Sequence, residues 1–157
     1  MKNFLILFIL PFLLWKEVSW SAGSANVNKN GVLLNGFDVV SYFAPAGAMQ
    51  GRSEFQVQQK GVTYWFSSES NKQLFLKNPE KFEPSYQGWC AYAVADSKTK
   101  VEVDPKSFII QDGKLLLFYD GFFGNTRDKW LHTKNKNPDA YLKQAETNWP
   151  SVQAKDN

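Results

Sequence analysis

The 157-residue sequence has a single cysteine, Cys90, a single histidine, His132, and, apart from Met1, a single methionine, Met49. One cysteine excludes an internal disulfide bond. A closed structural zinc site uses four Cys or His ligands, so the sequence excludes that class of site as well. Cys90 is therefore a buried small apolar residue, a reactive thiol, a metal ligand or a cysteine that pairs with another chain.

Several motifs of enzymes and cofactor proteins are also absent. The sequence has no CxxC redox pair, no phosphate-binding P-loop, no GxGxxG dinucleotide motif and no HExxH metalloprotease motif. It has no CxxCH, which excludes covalent attachment of haem. The net charge is only +3 and neither sign of charge forms a long run, so we expect no nucleic-acid partner.

No hydrophobic run is long enough to span a bilayer, which takes about 20 apolar residues. The longest, residues 4–15, follows Lys2 and precedes the small and polar residues 21–25. This order is typical of a secretory signal peptide, with cleavage expected after Ala25. We therefore expect an exported protein, periplasmic or secreted, with no stable membrane anchor.

The rest of the chain is the length of one ordinary domain. The sequence contains 13 Phe, 6 Trp and 6 Tyr, and such large rings let a small domain build a core without disulfide bonds. We divide the chain into a signal peptide at residues 1–25, an N-terminal segment at 26–34, the domain at 35–150 and a flexible tail at 151–157.

Two β-hairpins are predicted. Lys60-Gly61 joins the apolar runs 55–59 and 62–66, and Asp112-Gly113 joins 108–111 to 114–119. Glycine takes the positive φ that tight hairpin turns require. Alternation in the first hairpin predicts a core face, formed by Phe55, Val57, Tyr64 and Phe66, with Trp65 on the opposite face. Residues 115–119 are apolar on both faces, so we expect that strand to be covered on both sides.

Helices are predicted at 69–77 with a Ser67 or Ser68 cap, at 79–82 with an Asn78 cap, near 126–134, and from Pro138 to Trp149. Leu74 and Phe75 are assigned to the core side of the first helix, and Pro150 is expected to end the last one. The predicted fold class is α+β: a small single domain with two β-hairpins, flanking short helices and a longer C-terminal helix.

Five blocks of this sequence resemble the exported YHS-domain proteins, and they occur in consistent order at residues 36–43, 64–70, 78–82, 88–93 and 148–150. Linked blocks are far more specific than one motif. The resemblance implies a small α+β module associated with heavy metals, copper and zinc in particular. It implies no established catalytic activity for the exported subgroup.

The sequence departs from the metal-handling relatives where those proteins carry thiols, because it has Asp38 near the domain start and serines from Ser67 onwards. Serine hydroxyls are poor ligands for soft metals. The soft-metal candidates are Cys90, His132 and Met49, for copper or zinc in an open site. Haem, with His132, Cys90 or a tyrosine as axial ligand, is the less favoured cofactor.

The sequence therefore predicts an exported, non-catalytic YHS-like domain that binds a metal ion or a small ligand. One alternative is a thiol-dependent enzyme or redox sensor that uses Cys90, with His132 as its base. Another is an interaction module without a cofactor, whose contact surface would be made of exposed aromatic side chains such as Trp65, Trp89 or Phe122-Phe123. The protein partner is not identified by the sequence.

Overall fold

The computed structural model describes residues 24–132 and 137–156. All but the last two residues of the expected signal peptide lie outside this part of the chain. The described residues form short helices and three two-stranded antiparallel sheets, which confirms the α+β class. The strands are β1 (Arg52–Gln59), β2 (Val62–Phe66), β3 (Asp104–Gln111), β4 (Lys114–Phe118), β5 (Asp120–Gly121) and β6 (Gly124–Asn125). The helices are α1 (Glu69–Lys77), α2 (Pro79–Phe82), α3 (Ala91–Asp96), α4 (Thr126–His132) and α5 (Pro138–Gln153).

Both predicted hairpins are confirmed. Strands β1 and β2 pair with Val57 opposite Tyr64, and β3 and β4 pair with Ile109 opposite Leu116. The turn residues have positive φ in both hairpins, at Lys60-Gly61 and at Asp112-Gly113. This backbone twist matches the right-handed twist of the paired strands. The small β5–β6 hairpin was not predicted.

Strand β4 is covered on both faces, as its sequence predicts. Leu115, Leu116, Leu117 and Phe118 are all completely buried. Successive side chains of a strand point to opposite faces, so Leu115 and Leu117 belong to one apolar cluster and Leu116 and Phe118 to another. The core therefore has two halves, one on each side of β4.

The first half of the core is formed by the β1–β2 hairpin, α1 and the chain before β1. Tyr64, Phe66 and Phe75 lie in this cluster with Leu33 and Leu34, although the sequence division places the two leucines before the domain. Phe55 and Val57 are only half-buried and pack against its edge. The second half comes from α3, α4 and α5, whose buried residues include Ala91, Val94, Trp130, Tyr141 and Ala145.

The predicted caps of the first two helices are present. The Ser68 hydroxyl accepts a hydrogen bond from the Asn71 amide at 3.2 Å, and the Asn78 side chain accepts one from the Lys81 amide at 3.4 Å. Each cap satisfies an amide that has no partner inside its own helix. The two helices therefore begin where the serine and asparagine caps predict.

The predicted end of the C-terminal helix is wrong, because α5 continues through Pro150 to Gln153. Proline removes one helical hydrogen bond, the one to the Glu146 carbonyl. Glu146 and Pro150 are both exposed, so the loss falls on the solvent side of the helix. The next turn buries Val152 completely in the second half of the core. Residues 151–153, assigned to the flexible tail, are therefore helical.

The assignment of Leu74 to the core is also wrong. Leu74 is 45% exposed, whereas its neighbour Phe75 is completely buried. Successive residues of a helix differ by about 100° in direction, and α1 turns only a narrow face inward. Phe75 occupies that face, where its ring lies 4.7 Å from Tyr64 and 5.1 Å from Phe66.

Two leucines give a matched test of this core. Leu117→Ala should lower the free energy of unfolding by about 2 to 5 kcal/mol, because it opens a cavity in a fully buried site. Leu74→Ala should change it by less than about 0.5 kcal/mol, as surface changes do. Urea denaturation of both variants measures the difference. Equal losses would contradict the burial of Leu117 in the first half of the core.

Candidate functional site

Asp38 is a completely buried carboxylate, and it accepts five hydrogen bonds. Its Oδ1 atom accepts from the amides of Val40 at 2.9 Å and Ser41 at 3.3 Å. Its Oδ2 atom accepts from the Ser67 amide at 2.8 Å, the Ser67 hydroxyl at 2.6 Å and the Asn71 side-chain amide at 2.7 Å. Asp38 thus joins the chain before β1 to the end of β2 and the start of α1.

This arrangement occupies the positions where metal-handling relatives are expected to carry thiols. Asp38 and Ser67 do meet, but through a hydrogen bond. Donors already occupy both carboxylate oxygens, and a metal would need the same lone pairs. The Asp38 network is therefore a structural connection and does not fit a metal ion.

Asp38→Asn should lower the free energy of unfolding by about 1 to 3 kcal/mol. The amide places an NH2 group against N–H and O–H donors, whichever way it is oriented, and leaves buried groups unpaired. Chemical denaturation measures the loss, with the exposed Asp120→Asn as a matched control. Equal stability of the two variants would show that the Asp38 bonds do not hold the fold.

The structure buries Cys90 completely, immediately before α3. Its sulfur lies 3.4 Å from the Thr126 hydroxyl oxygen, and its amide donates to the Val101 carbonyl at 3.1 Å. Its backbone also pairs with Leu117 of β4. Cys90 therefore lies between the two halves of the core.

The other two predicted ligands are exposed and lie on separate elements. Met49 is 42% exposed in the loop before β1, where its amide donates to the Ser41 hydroxyl at 3.1 Å. His132 is exposed at the end of α4, about 9 Å along the helix axis from Thr126 by the rise per residue. Among residues 24–132 and 137–156, no three His, Cys, Asp or Glu side chains come close enough to share a metal ion. The ligand set Cys90, His132 and Met49 stays a prediction that no observed contact supports.

Cys90→Ser should lower the free energy of unfolding by about 1 to 3 kcal/mol, because a hydroxyl is costlier to bury than a thiol. Cys90→Ala should cost less, since it adds no polar group. Thermal or urea unfolding ranks the two variants, and copper titration of wild type and Cys90→Ala tests ligation. Loss of copper binding in Cys90→Ala without loss of stability would identify Cys90 as a ligand.

A strained turn precedes Cys90. Tyr86 and Gln87 have φ values of 53° and 54°, and Gly88 follows with φ 86°. Non-glycine residues in this left-handed region cost roughly 1 kcal/mol or more each, so surrounding contacts must stabilise them. The turn directs the Tyr86 ring towards α5, where it meets Trp149 edge to face at 5.7 Å.

Tyr86 and Trp149 contribute to a cleft of about 300 Å³ between α2, the β3–β4 turn and α5. Its rim carries carboxylates and ammonium groups together, and the described residues that line it are Glu80, Lys81, Glu83, Ser85, Tyr86, Gly113, Lys114, Glu146 and Trp149. Small-molecule pockets are mostly lined by apolar and aromatic side chains, whereas five of the nine residues that line this cleft are charged, so the cleft suits a ligand that carries charge.

The charges of the cleft are partly paired. Lys114 forms an ion pair with Glu146, and Glu83 forms one with Lys60 at 3.5 Å. Burial, and the negative charge of Glu146, raise the pKa of Tyr86 above its usual range. The phenol therefore stays neutral at physiological pH, and the wall it forms is uncharged.

Sequence reasoning missed this cleft. Its residues come from three separate stretches of the chain, and only packing brings them together. The left-handed turn has one local signal, Gly88, since glycine favours positive φ, but nothing local indicates the same conformation at Tyr86 and Gln87. The cleft depends on the left-handed conformation of Tyr86 and Gln87.

Of the four aromatic side chains named for an interaction surface, the two phenylalanines are exposed and the two tryptophans are not. Trp65 and Trp89 are half-buried, so they do not form an open surface. Phe122 and Phe123 are 96% and 80% exposed at the turn between β5 and β6. Their rings touch only edge to face, at a centroid distance of 5.3 Å.

The YHS domain family model matches residues 44–86 of the chain. The chain contains a YHS domain. The match includes β1, β2, α1 and α2 and ends at Tyr86, so the YHS domain supplies one side of the cleft, and Lys114, Glu146 and Trp149 lie outside the matched residues. No curated protein and no solved structure matches the chain. Among the described residues, no helix has both the length and the apolar composition needed to cross a membrane.

Proposed function

We propose that this chain is an exported, non-catalytic YHS-domain protein that binds a small ligand in the cleft between α2 and α5. The observation that carries the proposal is the cleft itself, with Tyr86 and Trp149 on its walls and charged side chains on its rim. Export is supported by the signal-peptide pattern of residues 1–25, which indicates the periplasm or the extracellular medium.

The chemistry of the cleft indicates the class of ligand. The two aromatic rings meet edge to face and give the cleft apolar contacts. Glu80 and Lys81 are exposed on the rim and supply charges of both signs. A ligand with an apolar part and at least one charged group would use both features.

The surroundings of Cys90 support a non-catalytic function. A cysteine nucleophile needs access to its substrate and a nearby base. Cys90 is completely buried, and its sulfur lies 3.4 Å from the Thr126 hydroxyl, which does not act as a base. His132, the expected partner in a thiol enzyme, is exposed at the far end of α4.

Metal binding is the second candidate, because YHS domains are associated with metals. Copper or zinc would require Cys90, His132 and Met49, or other donors, to approach one another. A small ligand fits the described residues better, since the cleft needs no rearrangement.

Native mass spectrometry of the protein isolated from its own compartment tests the proposal. We expect an added mass from an organic molecule, and we expect Glu80→Lys to change its occupancy severalfold, downward for a cationic ligand and upward for an anionic one, because the substitution reverses a charge at the rim. Both Glu80 and Glu54 are exposed, so Glu54→Lys, which lies outside the cleft, is the matched control. An added mass of copper or zinc that is insensitive to Glu80→Lys would favour the second candidate. An equal change in both variants would contradict a site in this cleft.

A further inference from the structure

Residues 24–26, here called the strap, precede the first hairpin in the chain and are buried. Ser24, Ala25 and Asn26 are only 3%, 5% and 6% exposed. We infer that the strap belongs to the mature domain and that the leader is cleaved at or before the Gly23–Ser24 bond. The inference rests on the proposed export, and it replaces the cleavage after Ala25 that the sequence alone suggests.

The strap holds the strained turn at residues 86–88. The Asn26 amide donates to the Gln87 carbonyl at 3.0 Å, and the Asn26 side chain donates to the Gly88 carbonyl at 3.1 Å. The Ser24 hydroxyl donates to the Gln87 side chain. The Ser24 carbonyl accepts from the indole N–H of Trp89 at 2.7 Å. These four bonds connect the strap to three successive residues, starting at Gln87.

Cleavage after Ala25 would remove both Ser24 bonds and the buried Ala25 methyl group. It would also convert the Asn26 amide into a charged α-ammonium group. Asn26 is buried and its nitrogen points at the Gln87 carbonyl, so the new charge would lie in a desolvated place. Burial of an unpaired charge is strongly unfavourable.

The consequence extends to the cleft. Without the strap, fewer contacts oppose the relaxation of Tyr86 and Gln87 out of the left-handed region. Tyr86 forms one wall of the cleft and meets Trp149 there. Cleavage of the leader at or before the Gly23–Ser24 bond therefore preserves the proposed binding site.

The sequence offers suitable positions upstream. Signal peptidases prefer small residues at the first and third positions before the cut. Ser19 and Ser21 satisfy this rule for a cut before Ala22, and Ser21 and Gly23 satisfy it for a cut before Ser24. Either cut leaves the strap complete.

Intact-mass analysis and N-terminal sequencing of the exported protein, produced from the full chain in a secreting host, test the inference. We expect the mature chain to begin at Ala22 or Ser24. A mature chain that begins at Asn26 would overturn the inference while leaving export in place. A chain that keeps residue 1 would overturn the export on which the inference rests.

A pair of tryptophan variants tests the strap independently of export. Trp89→Phe removes the N–H that bonds to Ser24, whereas Trp65→Phe removes a buried N–H that has no hydrogen-bond partner among the described residues. We expect Trp89→Phe to speed hydrogen exchange at residues 24–26 and 86–88 by about three- to tenfold, the range of one hydrogen bond. Trp65→Phe should leave exchange there unchanged. Unchanged exchange in Trp89→Phe would show that the strap does not hold the turn.

Discussion

The fold depends on one strand that must be covered on both faces. Strand β4 carries four consecutive buried apolar residues, from Leu115 to Phe118. In a two-stranded hairpin, the partner strand covers only one edge of such a strand. The side chains on its two faces still need apolar neighbours from other elements. The first hairpin and α1 cover one face, and α3, α4 and α5 cover the other. The short helices and small separate sheets follow from this requirement.

The segment between Phe82 and Cys90 connects the two halves of the core. Phe82 belongs to the first cluster and Tyr86 to the second, so the chain crosses from one side of β4 to the other within a few residues. The left-handed turn at Tyr86 and Gln87 makes this crossing short. Cys90 then pairs with Leu117 of β4, which explains why the single cysteine is enclosed.

The proposed cleft lies beside this crossing. Tyr86 and Ser85 reach it from the crossing segment, Gly113 and Lys114 from the turn before β4, and Trp149 from α5. Near the β3–β4 turn, α2 on one side of β4 and α5 on the other do not pack closely against each other, and the cleft lies between them. The site thus follows from the same constraint that organises the core.

Local signals in the sequence predicted the parts of the fold that depend on local chemistry. The Lys60-Gly61 and Asp112-Gly113 turns, and the caps at Ser68 and Asn78, act within a few residues of their partners. The end of α5 was mispredicted because Val152 is held by distant residues, which outweigh the local effect of Pro150. The left-handed turn, the strap and the cleft likewise depend on contacts between residues far apart in the chain. Of the three predicted metal ligands, only Cys90 lies inside the core.

Asp38 gives a physical reason why a domain of this family can fold without thiols at the positions expected of its metal-handling relatives. A bound metal stabilises a small domain by connecting segments that are distant in sequence. Here a single carboxylate connects the chain before β1 to Ser67 and Asn71 through charge-assisted hydrogen bonds. These donors, with the amides of Val40 and Ser41, occupy both carboxylate oxygens. A metal ion therefore does not fit at the same place. The ligand site that we propose lies elsewhere, in the cleft between α2 and α5.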